Sequence, residues 1–188
     1  MNVWQAGADG VYTFNLFPQE PDQRFSQMGS PETLKGLDKI YSVDYIVENQ
    51  FEGDLRPGLV APGRLPVDLQ LDAWVSVNLP VGEDVAANAP TGKQARTELS
   101  LKFAGMATGD QIAITINGHQ FAEVAPTDPP DDNPNSAEFT LEIDPNLLQA
   151  GDNEIQLFLR SMRKPVFPPA QVNVVLERLD LHLSYQDS

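Results

Sequence analysis

The chain contains no cysteine. That removes disulfides, thiolate metal sites and cysteine nucleophiles together. Histidine is nearly as scarce: His119 and His182 stand far apart, whereas a zinc site gathers three or four ligands. Positive charge is thin, with 12 Lys and Arg against 27 Asp and Glu and a formal net charge of −15. Nucleic acid and anionic membrane both demand a basic footprint, so neither is expected as a partner. No apolar run approaches the length of a membrane span. The first residues lack the basic stretch leading into an apolar one that marks an export signal. A larger parent would carry any such signal upstream, so the compartment is not fixed. No catalytic triad, nucleotide motif or glycine-rich phosphate loop occurs, and Gly7-Ala8-Asp9-Gly10 is a turn.

What is present divides in two. At 188 residues, 41% hydrophobic and 21% charged, the chain has a globular composition and the length for one sizeable domain plus an appendage. Residues 1–6 are helix-like and run into the turn at Gly7 and Gly10. Residues 11–17 are apolar on both faces, as in a strand of a parallel sheet, and Pro18 ends them. A helical turn over 22–28 follows. A second helix starts with Ser30 as N-cap and Pro31 at its first position, and Gly36 cuts it short. Leu37, Ile40 and Tyr41 sit at a spacing that continues one face to about residue 41, before an extended stretch over 41–47. One strand and its flanking helices cannot close a sheet. Residues 1–54 therefore read as the last βα unit of a larger barrel.

Residues 55–188 read as a self-contained sandwich. Arg56-Pro57-Gly58 and Ala61-Pro62-Gly63 make 55–66 a linker. Alternating apolar stretches follow over 67–71, 73–79, 96–103, 111–116, 120–124, 138–143, 153–162 and 173–185, with a single turn at 146–149 and a bulge expected near Arg178 and Leu179. Asn117-Gly118 is the strongest hairpin signal. Short alternating strands with turn signals between them indicate an antiparallel sandwich or jelly roll. The fold class is mainly β: a jelly-roll-like antiparallel β-sandwich preceded by a short βα remnant.

Candidate functional residues are few. Residues 125–136 hold four prolines, which forbid regular structure and make this a long surface loop. Its Asp128, Asp131, Asp132 and Asn135 are oxygen ligands of the kind calcium prefers, although their spacing matches no fixed calcium loop. Calcium is thus the one cofactor with a candidate site, and none is otherwise expected. Asp9, Asp38, Asp44 and Glu48 have the residue type a glycosidase uses in pairs, but not a recognisable arrangement. Asn15 lies at the C-terminal end of its strand, where barrel active sites form. Phe167, in a proline-rich stretch, is expected to be exposed. Asn117 is the amide at the hairpin tip. Asn15, Phe167 and Asn117 are the candidate ligand-binding residues. Trp74, Tyr185 and Phe121 are the other sandwich aromatics that stacking on a sugar would use, with Trp74 expected in the core. His119 is expected at an exposed turn and His182 on the outer face of the last strand. Residues 4–17 leave apolar surface and strand edges uncovered, which suits a second copy or a barrel partner.

Two pairs of stretches resemble known proteins. Residues 7–18, Gly-Ala-Asp-Gly-Val-Tyr-Thr-Phe-Asn-Leu-Phe-Pro, with 29–41 resemble the end of the TIM barrel in bacterial glycoside-hydrolase-like proteins. Residues 109–118, Gly-Asp-Gln-Ile-Ala-Ile-Thr-Ile-Asn-Gly, with 148–158 resemble galactose-binding-like jelly-roll domains appended to glycosidases. The resemblance implies a sugar context. It does not imply catalysis by this chain, because the barrel strands carrying the catalytic carboxylates are absent. The expected role is a non-catalytic accessory sandwich that stabilises a parent barrel or binds carbohydrate. The alternatives are a purely structural or interaction module with no sugar ligand and, at greater remove, a hydrolase in its own right.

Overall fold

Residues with period-two apolarity form strands because successive side chains point to opposite faces, so one face can bury while the other meets water. A computed structural model of the chain describes residues 1–10, 23–43, 65–126, 136–162 and 173–187. The strands are β1 (Lys39–Ser42), β2 (Val67–Leu69), β3 (Trp74–Val81), β4 (Lys93–Ala104), β5 (Gln111–Ile116), β6 (His119–Val124), β7 (Ser136–Ile143), β8 (Gly151–Ser161) and β9 (Val174–Asp187). The larger sheet has the order β1-β9-β4-β7, with β2 also paired to β9, and the smaller sheet has the order β3-β8-β5-β6. Every pairing between these strands is antiparallel. The chain crosses between sheets repeatedly, as a jelly roll does.

The core is what the two sheets trap. Leu99, Leu101 and Phe103 of β4 and Leu179, Leu181 and Leu183 of β9 line the larger sheet's inner face. Val77, Leu79 and Val81 of β3, Ile112, Ile114 and Ile116 of β5, and Ile155, Leu157 and Leu159 of β8 line the smaller one's. Each such side chain is stabilised by about 1.5–3 kcal/mol on leaving water. Along β9 the register slips by one residue opposite Lys102 and Phe103, since Lys102 faces Arg178 and Phe103 faces Leu176. That bulge at Glu177 is the irregularity expected near Arg178.

Turn chemistry follows the side chains. Asn117 at φ 50° and Gly118 at φ 79° form the primed hairpin turn that matches strand twist. The fully buried Asn153 is satisfied at both ends of its amide. Its Oδ1 accepts from Asn117 Nδ2 at 2.9 Å and Gln149 N at 2.8 Å, and its Nδ2 donates to the carbonyls of Gln149 at 2.9 Å and Gly151 at 3.1 Å. Asp110 Oδ2 accepts from Ala107 N at 2.8 Å.

Among the described residues the N-terminal segment has three short helices, α1 (Asn2–Gln5), α2 (Gln23–Gln27) and α3 (Pro31–Leu34). Ser30 caps α3 by accepting from Thr33 N at 3.3 Å. Helical character does not continue to Tyr41 as expected. From Lys39 the chain is a strand, because pairing with Leu183, His182, Leu181 and Asp180 of β9 satisfies its backbone while Tyr41 turns into the core. β1 thus lies before the expected division at residue 54 and is hydrogen-bonded into the sandwich. The strand expected over 11–17 lies outside the described residues, as do residues 44–64.

A polar cluster fastens β1. Glu83, in the connection after β3, is only 4% exposed. Its Oε1 accepts from Tyr41 Oη at 2.8 Å and Lys39 Nζ at 2.7 Å, and its Oε2 accepts from Asn88 Nδ2 at 3.2 Å. Lys39 also donates to the Leu37 carbonyl at 2.9 Å and lies 5.8 Å from the centroid of the Tyr185 ring, a cation–π distance. Asp38 Oδ1 accepts from Tyr185 N at 3.0 Å. Tyr185 Oη is buried with no hydrogen-bond partner among the described residues.

Burial raises the Tyr41 phenol, reinforced by its hydrogen bond to Glu83 and that carboxylate's charge. Burial, followed by the charges of Glu83 and Asp38, pushes Tyr185 up to about 12. Both folded values lie above the ordinary value near 10, so the neutral phenols favour the fold up to about pH 10, and stability falls as pH rises beyond it. The urea midpoint is expected to drop between about pH 9.5 and about pH 11.5, and to drop less in Tyr185→Phe. At neutral pH Tyr185→Phe is expected to match or exceed the parent, since it deletes a buried hydroxyl that has no partner among the described residues. A chain beginning at residue 55 loses β1 and strands Glu83. It is expected to melt cooperatively but to be destabilised by about 3–5 kcal/mol in urea titration, the usual consequence of removing one side of a buried ion pair.

Candidate functional site

The inward parity of Val77, Leu79 and Val81 on β3 forces Trp74, Ser76 and Asn78 outward. Trp74 is accordingly 53% exposed, which corrects its expected place in the core. The signal was present: Trp74 shares parity with Ser76 and Asn78, not with the buried valines and leucine. On β8 the same logic turns Phe158, Gln156, Glu154 and Asp152 outward. Register then sets Trp74 beside Phe158, Ser76 beside Gln156 and Asn78 beside Glu154.

The result is an aromatic row and a polar row on the outer face of the smaller sheet. Trp74 and Phe158 have ring centroids 5.0 Å apart and planes tilted by 42°, a favourable aromatic pairing. Next along the aromatic row come Ala113 of β5 and Glu123 of β6. Glu123 Oε1 meets Arg160 Nη1 of β8 at 2.9 Å. Because β5 lies between those two strands, this ion pair reaches across it, and Ala113 is buried although it faces outward. The pair walls the inner end of the aromatic surface, while among the described residues β3 is an edge strand and leaves the Trp74 end open.

The polar row lies two residues along the strands. Thr115 Oγ1 is 3.1 Å from Gln156 Oε1, and Gln156 Nε2 is 3.4 Å from both Ser76 Oγ and Glu154 Oε1. Gln120 of β6, opposite Thr115, continues the row. Hydroxyls and amides of this kind both donate and accept. An exposed ring beside such a row offers an apolar face and, next to it, groups that pair with hydroxyls.

The residues expected at the site fare differently. Asn117 is engaged within the fold: its Nδ2 donates to the Leu147 carbonyl at 2.8 Å and to Asn153, and its Oδ1 accepts from Glu154 N at 2.9 Å. Tyr185 is buried and Phe121 is half-buried against the core, so neither supplies a stacking surface. Asn15, Phe167, Asp128, Asp131, Asp132, Asn135, Asp44 and Glu48 lie outside the described residues. Among the described residues no group of three or more His, Asp or Glu is placed to hold a metal ion. Asp9 is exposed and Asp38 caps the backbone of Tyr185. His119 and His182 are both exposed, as expected. Trp4 is half-buried on α1, and residues 11–17 are outside the described set. Phe158, Gln156 and Ser76 were not singled out from sequence.

A concavity of about 370 Å³ opens beside β4, β7 and the end of β9. Arg96, Glu142, Asp144, Gln186 and Asp187 line it, and no aromatic ring does. Arg96 is 3.0 Å from Glu98, and Asp144 Oδ1 accepts from the backbone and side chain of Asn146.

No family model matches this chain, and no curated protein matches it. Solved structures are similar to it, among them the following three. One is a β-porphyranase of glycoside hydrolase family 86 from the human gut bacterium Bacteroides plebeius, at 16% identity and TM-score 0.40, covering 65% of this chain and 20% of that one. The match thus spans about a fifth of that enzyme. Another is the CBM36-1 domain of a multidomain xylanase from the hindgut metagenome of Trinervitermes trinervoides, at 11% identity and TM-score 0.38, covering 77% of this chain and 95% of that one. The third is a family 35 carbohydrate-binding module from an environmental isolate, at 12% identity and TM-score 0.39, covering 80% of this chain and 97% of that one. At these identities and scores they bear on neither ligand nor activity.

The outer face is expected to be energetically separable from the core. Trp74→Ala loses one aromatic pairing and is expected to cost about 1 kcal/mol, whereas Leu157→Ala empties a fully buried site and is expected to cost about 2–5 kcal/mol. Urea titration of both variants distinguishes these magnitudes.

Proposed function

We propose that this chain is a non-catalytic accessory sandwich that binds carbohydrate on the outer face of its smaller sheet. The observation that carries the reading is Trp74, 53% exposed and paired with Phe158, beside the Ser76–Gln156–Thr115 row. A large ring left in water without a core duty is a common anchor of binding surfaces. Its neighbours satisfy hydroxyls without needing a charge. The parent would be a glycoside-hydrolase-like protein, with catalysis residing elsewhere in it.

The test is retardation of the full chain in gels containing soluble polysaccharides, followed by calorimetry on any that retard it. Trp74→Ala is expected to weaken binding about tenfold or more, the equivalent of about 1.4 kcal/mol or greater. A chain that ignores every glycan but retains its fold would instead be the structural or interaction module.

A further inference from the structure

The charges around the aromatic pair select among glycans. Among the described residues, Arg160 is the one cation on the outer face of the smaller sheet, and it is held by Glu123 at 2.9 Å. Asp152 and Glu154 are exposed on the outer side of β8, and Glu154 Oε1 is 3.4 Å from the Gln156 amide at the centre of the polar row. The other basic strand residues lie elsewhere. Lys93, Arg96 and Lys102 belong to β4 and Arg178 to β9 of the opposite sheet; Arg96, Lys102 and Arg178 face Glu98, Glu177 and Glu138 respectively, while Lys39 is bound to Glu83.

Resting on the carbohydrate reading, we infer that the ligand is an uncharged glycan and that sulfated and uronate-bearing chains are excluded from this face. Two physical arguments converge. An anionic substituent is recognised by donors alone, typically Arg, Lys or backbone N–H. The row here instead alternates hydroxyls and an amide that accept as readily as they donate, which is what neutral hydroxyls require. A sulfate or carboxylate placed at Gln156 would also approach Glu154, and Arg160, the cation described on this face, is already paired with Glu123, so like charges at short range repel. The net charge of −15 adds a long-range field of the same sign.

The ring geometry assigns the contacts. One sugar unit lays its apolar face on Trp74 with Phe158 at its side, and its edge hydroxyls reach Ser76 and Gln156. The open edge at β3 lets a chain continue past Trp74, while the Arg160–Glu123 pair limits it on the other side.

The experiment uses the full chain in affinity electrophoresis against neutral gels (a mixed-linkage glucan, a xylan, a galactomannan), uronate gels (pectate, alginate) and a sulfated galactan. The expected result is retardation by at least one neutral gel and by no anionic one. Affinity for the neutral ligand is expected to change less than about twofold between about 0.02 M and about 0.3 M salt, a range over which charge-driven binding falls steeply. Trp74→Ala is expected to lose about tenfold or more in affinity, with Trp74→Phe intermediate. Trp74-dependent retardation by an anionic gel, or a steep loss with salt, would overturn the neutral assignment and leave the carbohydrate reading standing. Retardation by no gel overturns both. Neutral binding that survives Trp74→Ala and Gln156→Ala overturns the placement on this face.

Discussion

Two sheets that close on a single core dictate the parity of every strand between them. Once Leu79, Ile114 and Leu157 point inward, their neighbours must point outward, because the pleat has a period of two residues. This constraint builds the apolar interior and the outer face in one step. A slip of one residue in β3 would send Trp74 inward and Val77 into water. The pairing of β3 with β8 is therefore the contact on which both stability and the candidate site depend. Where parity has to change, along β9, the strand inserts Glu177 as a bulge and resumes with Leu179 in the core.

The Glu83 cluster solves a different problem. β1 is four residues long, and an edge strand of that length gains little from its backbone pairing alone. Lys39 and Tyr41 add a buried ion pair and a buried hydrogen bond to the same carboxylate. A charge in that position is tolerated only while its partners remain. The N-terminal segment and the sandwich therefore share one polar core element.

Most of the sandwich was legible in the sequence because alternation, turn residues and caps are local signals. β5 ends where Asn117-Gly118 begins, and Ser30 caps the helix its neighbours announce. The motif residues in the resemblance, Asp110, Asn117 and Asn153, proved to be staples of turns, which explains why they speak of fold and not of ligand. β1 was misread through residue 41 because a spacing of three and four residues also fits a helix, and its pairing partner lies some 140 residues away. Register across that distance has no local signature. The site was harder still. Trp74 was assigned by residue type, since tryptophan usually avoids water, whereas its neighbours' parity pointed the other way. Phe158 became visible only once β8 was aligned with β3.

The outward rows carry almost none of the packing that keeps the sandwich folded. Changes at Ser76, Gln156, Thr115 and Gln120 sit at surface positions where substitutions usually alter stability by less than about 0.5 kcal/mol. Such a face is free to drift. A lineage carrying this sandwich can rewrite a handful of solvent-facing residues on that face, while the interior that specifies the fold stays as it is.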